Sequence, residues 1–201
     1  MKKAYIIWIV LAAAVIVFLA FNMKIIDKGT EGQYTGVVAF DASASSSSDW
    51  DNVVLEITGK AVEITSLDSL SKDALGLGTA VKTRATVTEY ISKASGKKNT
   101  MTIAPEGYTG DCTFTVELGS IYTATNAALR DTQTAKTLSG DFTNQTEWSQ
   151  YAKALNDQSF ANVVTPLGID ESIQGKTVVI VGAATASGKA VTITPVSLAI
   201  E

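Results

Sequence analysis

Five segments with strand texture, three before and two after one amphipathic helical segment, predict a mainly β fold. The order matches a five-stranded Greek-key barrel of the OB type, whose helix lies between the third and fourth strands. An N-terminal transmembrane helix and short N-terminal helices precede the barrel in this reading. The expected organisation is residues 1–28 as a signal anchor, 29–48 as a linker, 49–78 as a helical extension and 79–201 as the barrel.

Each strand has its own signal. "TAVKTRATVTEYI" places Val81, Thr83, Ala85 and Val87 on one face and Lys82, Arg84, Thr86 and Thr88 on the other, the alternation of a half-buried strand. "ASGKKN" reads as a turn and "NTMTIA" as the returning strand. "EGYTGD" reads as a loop and "CTFTVELGSIY" as the third strand, with Cys112 on the apolar face beside Phe114, Val116 and Leu118. "KTVVIVGAAT" is continuously apolar, which predicts a central strand. After a second "ASGK" turn, "AVTITPVSLAIE" is the fifth strand, and Pro195 predicts a bulge or an edge there.

The helix between them is "TEWSQYAKALNDQSFANVV". Trp148, Tyr151, Ala152, Leu155, Ser159 and Val163 recur at helical spacing, and Pro166 and Gly168 close it. Asn144 stands three residues before Glu147, the pattern of a capping box, with Thr146 as an alternative cap. Phe142 is then either a staple under the helix start or a plug for one end of the barrel. A polar connection is expected before this helix.

Before the barrel, "DASASSSSDW" (Asp41–Trp50) is low in complexity and reads as a flexible spacer. "SDWDNVVLEITGKAVEI" is ambiguous between strand and helix. Its β-branched residues favour a strand, but Trp50, Val53, Val54, Ile57 and Ala61 have helical spacing. "TSLDSLSKDALGLG" predicts a short helix capped by Thr65 or Ser66 and stopped by Gly76 and Gly78. At the N-terminus an unbroken apolar run covers Ala4–Phe21, about 18 residues, near the lower limit for a bilayer-spanning helix. Lys2 and Lys3 favour a cytoplasmic N-terminus, which puts the C-terminal domain in the periplasm or outside the cell.

Composition excludes several functions. The chain has 201 residues, 16 Lys+Arg against 20 Asp+Glu, and a net charge of −4, so nucleic acid is not an expected partner. It has no His, which removes imidazole bases and most transition-metal sites, so no metal and no cofactor are expected. With a single Cys no intrachain disulfide forms. "VVIVGAATASGKA" fails as a phosphate loop. Five residues separate Gly182 from Gly188, Ala190 replaces the required hydroxyl residue, and strand texture follows. Arg130 and Asp131 are neighbours that would face opposite ways on a strand, so each needs another partner. The run around Asp141 could supply one for Arg130.

"AALRD" (Ala127–Asp131), "DFTNQTEWSQYAKALND" (Asp141–Asp157), "GKTVVIVGA" (Gly175–Ala183) and "VTITPVSLAI" (Val191–Ile200) resemble a bacterial family of predicted periplasmic lipoproteins of unknown function. The likeness is strong over the second half and looser over the first. Relatives are often encoded beside ribose-type sugar ABC importers, and one is similar to an OB barrel. The resemblance implies an extracytoplasmic module connected with sugar uptake. Its shared polar residues fall on Arg130, Asp131, Asp141, Asn144, Gln145, Asn156 and Asp157, a candidate binding or structural cluster. The family's lipid-attachment Cys is missing, so a helical anchor through residues 4–21 is expected instead. The expected function is a non-enzymatic accessory or binding module, with an importer or its ligand as partner. The alternatives are a carboxylate-based hydrolase and a structural or assembly protein docking on a membrane partner.

Overall fold

The structure is a computed structural model that describes residues 40–67, 69–92, 99–119, 127–134 and 136–201. The chain divides into two units, residues 1–40 and residues 41–201, and the second holds every helix and strand described. Four expectations lie outside the described residues: the anchor, the first part of the linker (29–39), the "ASGKK" turn, and the end of the third strand at Tyr122.

Six strands form one sheet: β1 (Val62–Glu63), β2 (Thr79–Ile91), β3 (Thr100–Pro105), β4 (Thr113–Glu117), β5 (Thr177–Ser187) and β6 (Ala190–Ile200). The order β2–β3–β4–β6–β5 closes on itself through an antiparallel β2–β5 ladder from Thr79↔Ala184 to Thr86↔Thr177. The return across the barrel is the parallel β4–β6 ladder, Thr113↔Ala190 to Val116↔Ile193. β1 adds a two-residue parallel bridge to β2. Closure leaves the five long strands few free edges, the usual solution to unpaired backbone groups in an all-β domain.

Alternation explains the barrel's interior. Val81, Thr83, Ala85 and Val87 of β2 are buried, while Lys82, Arg84, Thr86 and Thr88 are exposed. Met101, Ile103, Phe114, Val116, Ile180, Val191 and Ile193 join them in one core. β5 is central, with neighbours on both sides. Pro195 lies at a bulge, where the β5–β6 register shifts between Val181 and Gly182 and Gly182 pairs with Pro195. A Cβ on Gly182 would lie 2.3 Å from the Thr194 carbonyl oxygen, so only glycine fits this approach. Gly188, at φ +61, opens the two-residue β5–β6 turn, as a type II′ hairpin requires.

A helical layer covers the outside. Helix α1 (Ala42–Lys60) packs chiefly against the later helix α5 (Gln145–Ser159) and also touches β2, β5 and β6. This corrects the spacer expectation, because residues 42–48 of the supposed linker are the first turns of α1. Asp41 caps the helix by accepting from the Ala44 N–H at 2.9 Å. The hydroxyls of Ser46 and Ser48 donate to the carbonyls of Ser43 and Ser45, so the serines are satisfied within the helix. Ser46, Trp50, Val53 and Ile57 form its buried stripe. Burial of that stripe overrides the weak helix propensity of a serine run. The same stripe resolves the helix–strand ambiguity of this segment in favour of a helix.

Next comes a 3₁₀ turn (Ile64–Ser66) and helix α2 (Lys72–Leu75), capped by Ser71 rather than by Thr65 or Ser66. Gly76, at φ +58, ends α2. The connection before α5 contains two unexpected one-turn helices, α3 (Ala128–Thr132) and α4 (Leu138–Asp141). The expected helix through Val164 is α-helical only to Ser159. It continues as a π turn (Phe160–Val164) and a 3₁₀ turn (Thr165–Leu167) that stops at left-handed Gly168. Val164, Phe160, Val163 and Leu167 from these turns pack on the barrel core. Among the described residues no helix is long and apolar enough to cross a membrane.

Candidate functional site

The seven polar residues singled out from the sequence do not converge on one pocket. Arg130 and Asp131 lie on α3, not on a strand, and they do pair. Arg130 Nε donates to Asp131 Oδ1 at 2.7 Å, and Nη2 lies 2.7 Å from the same oxygen. Both side chains are only 12% exposed. This corrects the expectation that they face apart. Arg130 does not reach Asp141 either. Its Nη1 donates to the Trp148 carbonyl at 3.2 Å, and its guanidinium stacks 4.3 Å from the Trp148 ring centroid. Asp141 instead accepts from the Thr137 N–H at 2.8 Å and closes α4.

Asn144 caps α5 as the spacing predicts, accepting from the Glu147 N–H at 3.0 Å. Glu147 reaches back to the Thr143 N–H at 2.8 Å, one residue earlier than the usual capping box. That backbone bond, the largest cause, lowers the Glu147 pKa. Phe142 is a staple. Its buried ring meets Trp148 edge-on at 4.9 Å and lies 5.2 Å from Tyr151. Gln145 is exposed in the first turn of α5, Asn156 is buried on its inner face, and Asp157 pairs with Lys153 at 2.6 Å. This group mainly fixes helix starts and helix contacts.

A second polar network was not foreseen. The fully buried Tyr151 donates to Asp49 Oδ2 on α1 at 2.9 Å, and Lys136 Nζ lies 2.5 Å from the same oxygen. Burial, followed by the Asp49 carboxylate, pushes the Tyr151 pKa up, so the phenol stays a donor. These residues are far apart in sequence, and no local spacing announces them.

A cleft of about 340 Å³ lies at one mouth of the barrel. The arm after β1 lines one side with Ile64, Leu67, Leu70, Ser69 and Ser71. The β3–β4 loop, with Tyr108, Asp111 and Cys112, and the Gly188 turn line the other. Barrel mouths are common ligand sites, and this volume lies in the range of small-molecule pockets. Tyr108 is locked in place. Its ring meets Phe114 edge-on at 4.8 Å, and its hydroxyl accepts from the Cys112 N–H at 3.1 Å. A Cβ on Gly110 would lie 2.3 Å from that hydroxyl, so the ring can fold over the loop only above glycine. Contact with the Cys112 side chain, the largest cause, raises the Tyr108 pKa and keeps the phenol protonated. Asp111 pairs with Lys189 of the β5–β6 turn, which lowers the Asp111 pKa. A smaller pocket of about 190 Å³ lies beside the π turn, between Tyr90, Asn99, Leu118 and Phe160. Among the described residues no cluster of side chains could hold a metal ion.

The strand order, the parallel β4–β6 closure and the helix between the third and fourth barrel strands define an OB-type barrel with a cleft at its mouth. Over residues 11–199 the chain matches the family described as predicted periplasmic lipoprotein (DUF2291), and it belongs to that family. That description makes it a membrane-anchored, extracytoplasmic protein. No curated protein matches the chain. Among solved structures it is similar to an OB-fold protein from Thermotoga maritima, at 12% identity and a TM-score of 0.53, over 81% of this chain and 99% of that one.

Proposed function

We propose that the chain is a membrane-tethered, non-catalytic binding module of the periplasm that serves a sugar ABC importer or its ligand. The observation that carries this reading is the hydroxyl-lined cleft at the mouth of the closed barrel. OB barrels are commonly binding folds. Hydrolysis of glycosides needs two facing carboxylates. Among the described residues the cleft carries one, Asp111, and Lys189 already pairs with it. The apolar run of residues 4–21 supplies the tether as a single span. Acylation would need a cysteine after that run, and the one cysteine of this sequence is Cys112, beside the cleft.

The test is a thermal-shift panel of neutral sugars on the full chain in detergent, with pull-down from solubilised membranes. A rise in Tm with one sugar supports ligand binding. Co-purification of a permease without any rise moves the reading to assembly, and the absence of both contradicts it.

A further inference from the structure

We propose that the barrel-mouth cleft takes an uncharged small molecule rich in oxygen acceptors and bearing one apolar face. This deepens the binding-module reading and rests on it. Each hydroxyl on the cleft wall that holds a backbone N–H does so through its oxygen. Ser69 Oγ accepts from the Ser71 N–H at 3.2 Å, Ser71 Oγ from the Ala74 N–H at 3.3 Å, and the Tyr108 oxygen from the Cys112 N–H at 3.1 Å. A hydroxyl has one proton to give as well as lone pairs to offer. The Tyr108 proton goes to the Cys112 side chain, and among the described residues no side chain or carbonyl takes the protons of Ser69 and Ser71. The two serines therefore face the cleft as donors whose oxygens are fixed by backbone N–H groups.

The remaining walls settle the rest of the ligand's character. Ile64 and Leu70 are buried in the barrel core and Leu67 packs against it, so the floor is apolar. Such a floor favours a ligand with one face free of polar groups, because an unmatched polar group there loses its hydration. Among the described residues the one charged side chain on the wall is Asp111, and Lys189 pairs with it. An anion would meet the Asp111 carboxylate, and a cation would have to displace Lys189. The site is pre-organised, since Gly110, Phe114 and the Cys112 N–H hold Tyr108 in place before any ligand arrives. A free monosaccharide or polyol meets this description, and so does a small amide or ester.

The experiment is a ¹H–¹⁵N chemical-shift titration of the full chain in detergent micelles. Glucose and mannitol represent the polyols, and N-acetylglycine methylamide the amides. Gluconate and glucosamine are the charged controls. The expected result is a saturable shift at the Leu70, Tyr108 and Cys112 amides with a neutral probe, and the probe that binds tells polyol from amide. Ser69→Ala, on an exposed residue, should weaken that binding about threefold to tenfold, the loss of one neutral hydrogen bond. Equal binding of the charged controls, or no saturable shift with any probe, overturns the proposal. Saturable shifts at Tyr90, Asn99 and Phe160 instead overturn the cleft while leaving the binding-module reading intact. With no shift anywhere, that reading rests on permease co-purification alone.

Discussion

Asn144 and Glu147 start α5 by reciprocal side-chain bonds to backbone N–H groups, a device that works at fixed local spacing. That is why it was readable from "DFTNQTEW". Asn144→Ala should cost about 1 kcal/mol of stability, measured by denaturant unfolding. Glu147 also makes stability depend on pH. Its folded pKa is lowered from the ordinary 4.5, chiefly by the Thr143 N–H. Its contribution is therefore present above 4.5 and is lost as pH falls through the lower folded value. Tm measured across that window should fall less steeply in Glu147→Gln than in the parent chain. Arg130 was recognisable as a tie but its partner was not, because α3 was unrecognised and Trp148 reaches it only through tertiary packing. Arg130→Ala should cost about 1–3 kcal/mol, since it removes the Trp148 stack and carbonyl bond and leaves Asp131 half-buried without its cation. Arg130→Lys should recover only part of that, because lysine lacks the planar fork. Unchanged unfolding of Arg130→Ala would refute the tie.

At the scale of elements, periodicity succeeded where a segment buries one face and composition misled where it was read alone. The five barrel strands and α5 carry clean alternation or helical spacing, and all of them form. The serine run failed as a spacer because its burial pattern, Ser46–Trp50–Val53–Ile57, extends across the boundary drawn after it. Trp50→Ala should cost about 3–5 kcal/mol by leaving a cavity under the buried stripe of α1. A change near zero would return residues 42–48 to the status of a linker. The β5–β6 bulge makes an equally sharp prediction. Gly182→Ala pushes a methyl group against the Thr194 carbonyl and should cost about 1–3 kcal/mol or more, because backbone must yield.

For the whole molecule, strand count and helix position were enough to suggest the barrel, because they specify an order of chain passage rather than a set of contacts. The cleft was not readable in the same way. Its walls come from residues 64–71, 108–112 and 188, which meet only when the barrel closes. Nothing in the periodicity of any one of them marks a ligand site. The central claim is that this barrel stands outside the cytoplasm with its mouth open. Cys112, the one cysteine of the sequence, lies half-buried on the cleft wall and can report on both parts. The direct measurement is labelling of Cys112 by a membrane-impermeant maleimide in intact spheroplasts, in lysed ones and after unfolding. Equal labelling in intact and lysed spheroplasts is the predicted result. Labelling only after lysis would contradict the extracytoplasmic placement, and labelling only after unfolding would contradict the open cleft.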